Sequence, residues 1–194
     1  LTEAHRYVEA AELFASARRD IGATGSAELE VRALSGEAWA QVQEGDAREA
    51  VELLLVAREL AEGPQFSDVD RADLLFRLGV CRYKLSSIAT AVGLFDEALA
   101  LAGSSGLPCD LLRADILGWR SRCRRRQRDF DMAREDVEAA LELAQGMDDR
   151  FDLAVVAAMF DDHRRRWADE PLEVVASELA FDLPELDLQE DVVG

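Results

Sequence analysis

The sequence predicts an all-α chain, a solenoid of antiparallel helix hairpins, and three observations carry that expectation. Four clusters of the pattern Ala-x3-large-x2-Ala recur, at Ala10-Phe14-Ala17, Ala50-Leu54-Ala57, Ala91-Phe95-Ala98 and Ala133-Val137-Ala140. Their leading alanines step by 40, 41 and 42 residues, and self-similarity at a near-constant period is the signature of stacked structural units. Around each cluster the apolar residues keep a helical period, as Val51, Leu54, Leu55 and Leu60 do, with neither strand alternation nor an Asn-Gly or Asp-Gly hairpin turn.

Taken in order, the first cluster is a lone helix with Tyr7 ahead of it, so the first unit is truncated and the chain opens inside a structural unit, as a fragment does. Each later cluster has a second amphipathic helix upstream. Its small residue lies twelve positions before the leading alanine, at Ala38, Gly79 and Ser121, where a short side chain lets two helices approach closely. Four residues earlier stand Leu34, Leu75 and Leu117. Short polar turns such as Glu44-Gly45-Asp46 and Arg128-Asp129 join the two helices of a unit, while the longer gaps carry helix stops: Ile21 to Ser26, Glu62-Gly63-Pro64, Gly103 to Pro108 and Gly146-Met147-Asp148. A further helix is expected over Phe151 to Trp167, as a degenerate unit or a cap. The array is thus read as residues 1–168, with a capping helix and an acidic tail over 169–194.

Apolar residues make up 49% and charged residues 32% of the 194, a globular composition. The net charge of −18 excludes a uniformly basic surface for duplex DNA or anionic lipid. Cys81, Cys109 and Cys123 are odd in number and match neither a disulfide framework nor a zinc site, which points to a reducing cytoplasm. The longest apolar run, Leu153 to Phe160, falls short of the roughly 20 residues of a membrane helix. No signal-peptide pattern opens the chain.

With these positions in place, the sequence resembles the tetratricopeptide repeat (TPR) family. The third unit matches best, through Leu75, Leu78, Gly79, Ile88, Ala91, Phe95 and Ala98; the fourth keeps Leu117, Ser121, Phe130, Ala133, Val137 and Ala140. The resemblance covers residues 1–147. Its long step is similar to that of kinesin-light-chain-like and bacterial peptide-sensor repeats. Arg120 and Arg124 depart from it, standing where the family has Leu and an aromatic, so a one-residue shift or an unusual packing of that helix is expected. The resemblance implies a right-handed solenoid whose first helices line a concave groove for a peptide or partner segment. The groove residues it implies are Arg32 and Trp39, then Arg77, Tyr83 and Lys84, then Trp119, Arg122, Arg125 and Arg126, with Ser35, Gln43, Phe76, Val80 and Gly118 between them. Guanidinium forks on aromatic neighbours suit carboxylates, so an acidic or carboxylate-bearing peptide is the expected ligand.

A competing reading assigns the Arg run to structure. Six arginines between Arg120 and Arg128 are followed by Asp129, Asp131, Glu135, Asp136 and Glu138, which can neutralise them within the hairpin. Trp39 and Trp119 are expected to be partly core. Cys81 and Cys123 fall at equivalent places, as small buried packing residues. His5 and His163 lie in different units without partners at metal spacing, and no P-loop, dinucleotide turn or nucleophile elbow occurs. No catalytic residue, metal or cofactor is therefore expected, nor direct nucleic-acid or membrane binding. Residues 167–194 hold nine acids and no base; this tail is read as solvating, or as docking on the Arg-rich unit of its own or a neighbouring chain, a route to self-association. The function expected is a non-enzymatic protein–protein interaction scaffold. The alternative is the peptide-sensing portion of a bacterial helix-turn-helix transcription regulator. A helical enzyme is least favoured.

Overall fold

The computed structural model describes residues 3–21 and 25–145, with the side chains of 7–21 and 25–143. The expected helix over 151–167, His163 within it, and the cap and acidic tail of 169–194 lie outside the described residues.

Seven helices and no strand make up the described chain: α1 (Glu3–Ile21), α2 (Ala27–Glu44), α3 (Ala47–Leu60), α4 (Asp68–Lys84), α5 (Ile88–Ser104), α6 (Asp110–Arg126) and α7 (Phe130–Gln145). The all-α, solenoid-like architecture is therefore as the period implies. Each helix packs on the next in sequence, giving hairpins α2–α3, α4–α5 and α6–α7 stacked in chain order, with α1 against α2. Helix α5 runs through Gly103 to Ser104, so that glycine does not end it.

The hairpin turns show that the repeat is conformational as well as sequential. Gly45, Ser86 and Arg128 occupy equivalent positions, and all three adopt positive φ, at 107°, 61° and 66°. The following amide donates back to the helix in each case: Asp46 N to Gln41 O, Ser87 N to Arg82 O and Asp129 N to Arg124 O, all at 2.9 Å. This is the Schellman closure, which satisfies carbonyls at a helix end and favours glycine at its left-handed residue. Two of the three turns carry a side chain there, at a cost of about 1–2 kcal/mol.

The recurrent alanines are the points of closest packing. Ala50, Ala57, Ala91, Ala98 and Ala133 are fully buried, and Leu34, Leu54, Leu74, Leu78, Phe95 and Ile116 fill the space between them. Gly79 is small because the Phe95 ring lies against it; a methyl group there would collide with the ring. Gly36 serves Phe14 of α1 the same way, since a methyl group there would also collide with the ring. Ala38, the small residue expected to matter in that helix, is also buried.

The helix starts follow local chemistry. Ser67 and Asp70 form a capping box at α4, and Ser26 accepts from Leu29 N at α2. Cys109 precedes α6 without capping it; its thiol instead donates to Ala102 O at 3.3 Å.

Candidate functional site

First helices approach one another directly, α2 to α4 and α4 to α6, whereas the second helices α3, α5 and α7 make no comparable approach. The first helices consequently line the inner side of the stack. Among the described residues, this is where the sequence-derived candidates fall.

At the α4–α6 seam four of them meet. Tyr83 and Trp119 pack edge to face with ring centroids 5.4 Å apart. The Arg126 guanidinium lies 4.6 Å over the Tyr83 ring, and that of Arg122 lies 4.6 Å over Trp119. Both rings are half-buried against the core, so they are fixed, and a cation over a fixed ring is itself held in place. Lys84 is exposed at the position on α4 that Arg126 has on α6. Arg125 is half-buried at the position that Tyr83 has on α4.

At the α2–α4 seam Trp39 and Phe76 are 6.2 Å apart, and Phe76 continues to Phe95. Arg77 lies 5.2 Å over Trp39 while its Nε donates to Asp73 Oδ2 at 2.7 Å. Its charge is thus already answered within α4. Beside it a cavity of about 520 Å³ is lined by Arg32, Glu28, Val31, Phe66, Asp73 and Arg77. Ser35, Val80 and Gly118 are buried and offer little to a ligand, and Phe76 is mostly core. Trp39 and Trp119 serve in both capacities, packed on the core and carrying a cation on the inner side.

Arg120 and Arg124 do not belong to this face. Asp136 on α7 is 2% exposed and accepts from Arg120 Nε at 3.1 Å and Nη2 at 2.5 Å, with Arg124 Nη1 at 2.9 Å. Arg120 Nη1 also reaches Asp96 of α5 at 2.6 Å, and Arg124 Nη1 donates to Met132 O. The helical period sorts the run: residues 120 and 124 share the flank toward α7, and 122 and 126 the flank toward α4. The register of α6 is unshifted, since Leu117, Ser121 and Cys123 are buried at the expected places. Departure from the resemblance here is an unusual packing, an ion network standing where leucines pack in the preceding hairpin.

Burial pushes the Asp136 carboxyl above the ordinary carboxylate range, against the pull of the Arg120 guanidinium. Burial likewise raises the thiols from 9.0, to about 11 for Cys81 and about 12 for Cys123, so neither is a nucleophile near neutrality. A second ionic contact joins units, Arg18 Nε of α1 lying 3.2 Å from the mostly buried Glu37 of α2. Among the described residues, no group of His, Cys, Asp and Glu is disposed to hold a metal ion, and no helix is long and apolar enough to cross a membrane.

Neither a family model nor a curated protein sequence matches the chain. Twelve solved chains are similar in structure. Among them is BtubC (BKLC) from P. vanneervenii, with a TM-score of 0.65 and 20% identity over 84% of this chain and 68% of that one. At that identity the likeness concerns the fold alone, that of a stacked helical array.

Proposed function

We propose that the chain is a TPR-like, non-enzymatic scaffold that binds an acidic protein segment along the inner face of its first helices. The observation carrying this reading is the pair of guanidiniums stacked on Tyr83 and Trp119 at the α4–α6 seam. In a protein of charge −18, cations gathered on one inner face attract an anionic partner against the general field. Stacking holds both side chains before a ligand arrives, which lowers the ordering cost of binding. The equivalence of three hairpins at every turn supports a repeat scaffold with an inner binding face.

Binding of fluorescent peptides of graded charge to the full chain tests the reading. An acidic peptide is expected to bind saturably and to weaken steeply with added salt, while neutral and basic peptides of the same length do not bind. Arg126→Glu removes that binding without loss of helicity. An acidic peptide that fails to bind, or binds Arg126→Glu equally well, contradicts the proposal.

A further inference from the structure

The two rims of the α4–α6 seam differ in chemistry. Lys84 and Arg126 are the last residues of α4 and α6, both are exposed, and Arg126 lies over Tyr83, so the two helices end at one rim. At the opposite rim, where α6 begins, stand Leu107 and Leu111, 54% and 42% exposed.

Repeat equivalence places these leucines on the inner side. They correspond, 42 residues earlier, to Gln65 and Val69, and both of those line the cavity at the α2–α4 seam. Glu28, a further 41 residues back, lines it as well. The two connections use their apolar residues differently. Phe66, next to Gln65, is buried in the core, whereas Leu107 stays in water while Leu112 packs on the core. The Leu107 amide donates to Ser105 Oγ at 3.2 Å and the preceding Gly106 has a φ of 64°, so the turn that presents this leucine is fixed locally. A lone exposed leucine is common on any surface, but two at one rim of an inner face mark a place for an apolar contact.

Leu111 precedes Arg126 by 15 residues, about 22 Å along α6 at 1.5 Å per residue. An extended chain covers that length in about six or seven residues.

Resting on the proposed function above, we infer that the partner is an extended segment lying along the α4–α6 seam, with acids at one end and a large apolar residue about six or seven positions away. The acids sit at the Lys84–Arg126 rim, where the cations are. The apolar residue covers Leu107 and Leu111 and removes them from water.

The test uses the full chain and fluorescent peptides with a glutamate pair at one end and a leucine placed about two or about six residues beyond it, in an otherwise serine and glycine chain. Each is prepared with the acids first and with the acids last, and a reference peptide has serine for leucine. At low salt the longer spacing, in one of the two orders, is expected to bind about tenfold more tightly than the reference, and the shorter spacing no better than the reference. Leu107→Ser/Leu111→Ser, with helicity verified by circular dichroism, removes that gain and leaves binding of the reference unchanged. Lys84→Gln/Arg126→Gln weakens every peptide. Equal affinities in the unsubstituted protein overturn the apolar rim and leave the groove reading standing. An equal gain at both spacings overturns the span, and a gain that survives Leu107→Ser/Leu111→Ser overturns the placement of the leucine. Absence of saturable binding by every peptide overturns the groove reading, and this inference with it.

Discussion

Hairpins α4–α5 and α6–α7 share one backbone plan and fill it with different chemistry. Their turns close identically at Ser86 and Arg128, and their thiols Cys81 and Cys123 are buried at equivalent places. Yet Leu78 and Leu94 of the first are replaced by Arg120 and Asp136 of the second, sixteen residues apart in both cases. Volume changes hands as well: Gly79 and the Phe95 ring against it correspond to Ser121 and the smaller Val137, with the Ser121 hydroxyl donating to Gly118 O at 2.8 Å. The difference teaches that an interior position here tolerates a charge only when its partner changes with it. Stability is not the evident reason, because the desolvation of a buried pair offsets most of its attraction. The pair instead ties α7 to α6 and, through Asp96, to α5.

The comparison can be broken most forcefully at Asp136. Asp136→Leu leaves the guanidiniums of Arg120 and Arg124, with side chains only 15% and 12% exposed, without their shared carboxylate. A loss of about 3 kcal/mol in urea unfolding is expected. Adding Arg120→Leu removes one of the two stranded guanidiniums, while Arg124 keeps only Met132 O, so about half of the lost stability is expected to return. If the double variant is as unstable as the single one, the two hairpins are not interchangeable solutions.

The equivalent thiols sharpen the comparison by their shared behaviour. Their folded pKa values, about 11 and about 12, lie above the 9.0 of an unfolded chain. Above pH 9 the unfolded state releases protons that the folded state retains, so each thiol's contribution is complete below pH 9 and is lost as pH rises toward 11 or 12. Unfolding followed against pH should show a decline of about 3 kcal/mol from Cys81 and about 4 kcal/mol from Cys123 that Cys81→Ala and Cys123→Ala remove.

The smallest expected effect is at the turns. Arg128→Gly and Ser86→Gly should each raise stability by about 1 kcal/mol, since only Gly45 already has the residue that its left-handed conformation favours. A loss in either would show that the side chain supports its turn.

Much of this plan is legible in the residues. The alanine step located the hairpins because a helix interface needs small side chains at a fixed place in every unit, and Ala38, Gly79 and Ser121 are all buried there. The inner-face residues came from the family resemblance, which implies that the first helices line the groove. The division of the Arg run was harder to read, since six arginines beside five acids permit many pairings and composition alone does not choose among them. A signal able to choose lies in the offset of 42 residues, which sets Arg120 on Leu78 and Asp136 on Leu94 and exposes a joint departure from the apolar pattern. Arg18 against Glu37 and Phe14 against Gly36 had no such signal. Both contacts depend on how α1 seats on the following hairpin, which the period within a unit does not specify.

The account divides α6 into a flank that holds α7 and a flank that meets a partner. Acidic-peptide affinity, measured side by side in Arg120→Leu/Asp136→Leu and in Arg122→Glu/Arg126→Glu, tests that division most directly. The first variant should retain the affinity of the unsubstituted protein, and the second should lose it while keeping its helicity. Loss of binding in both, or its persistence in the second, would contradict it.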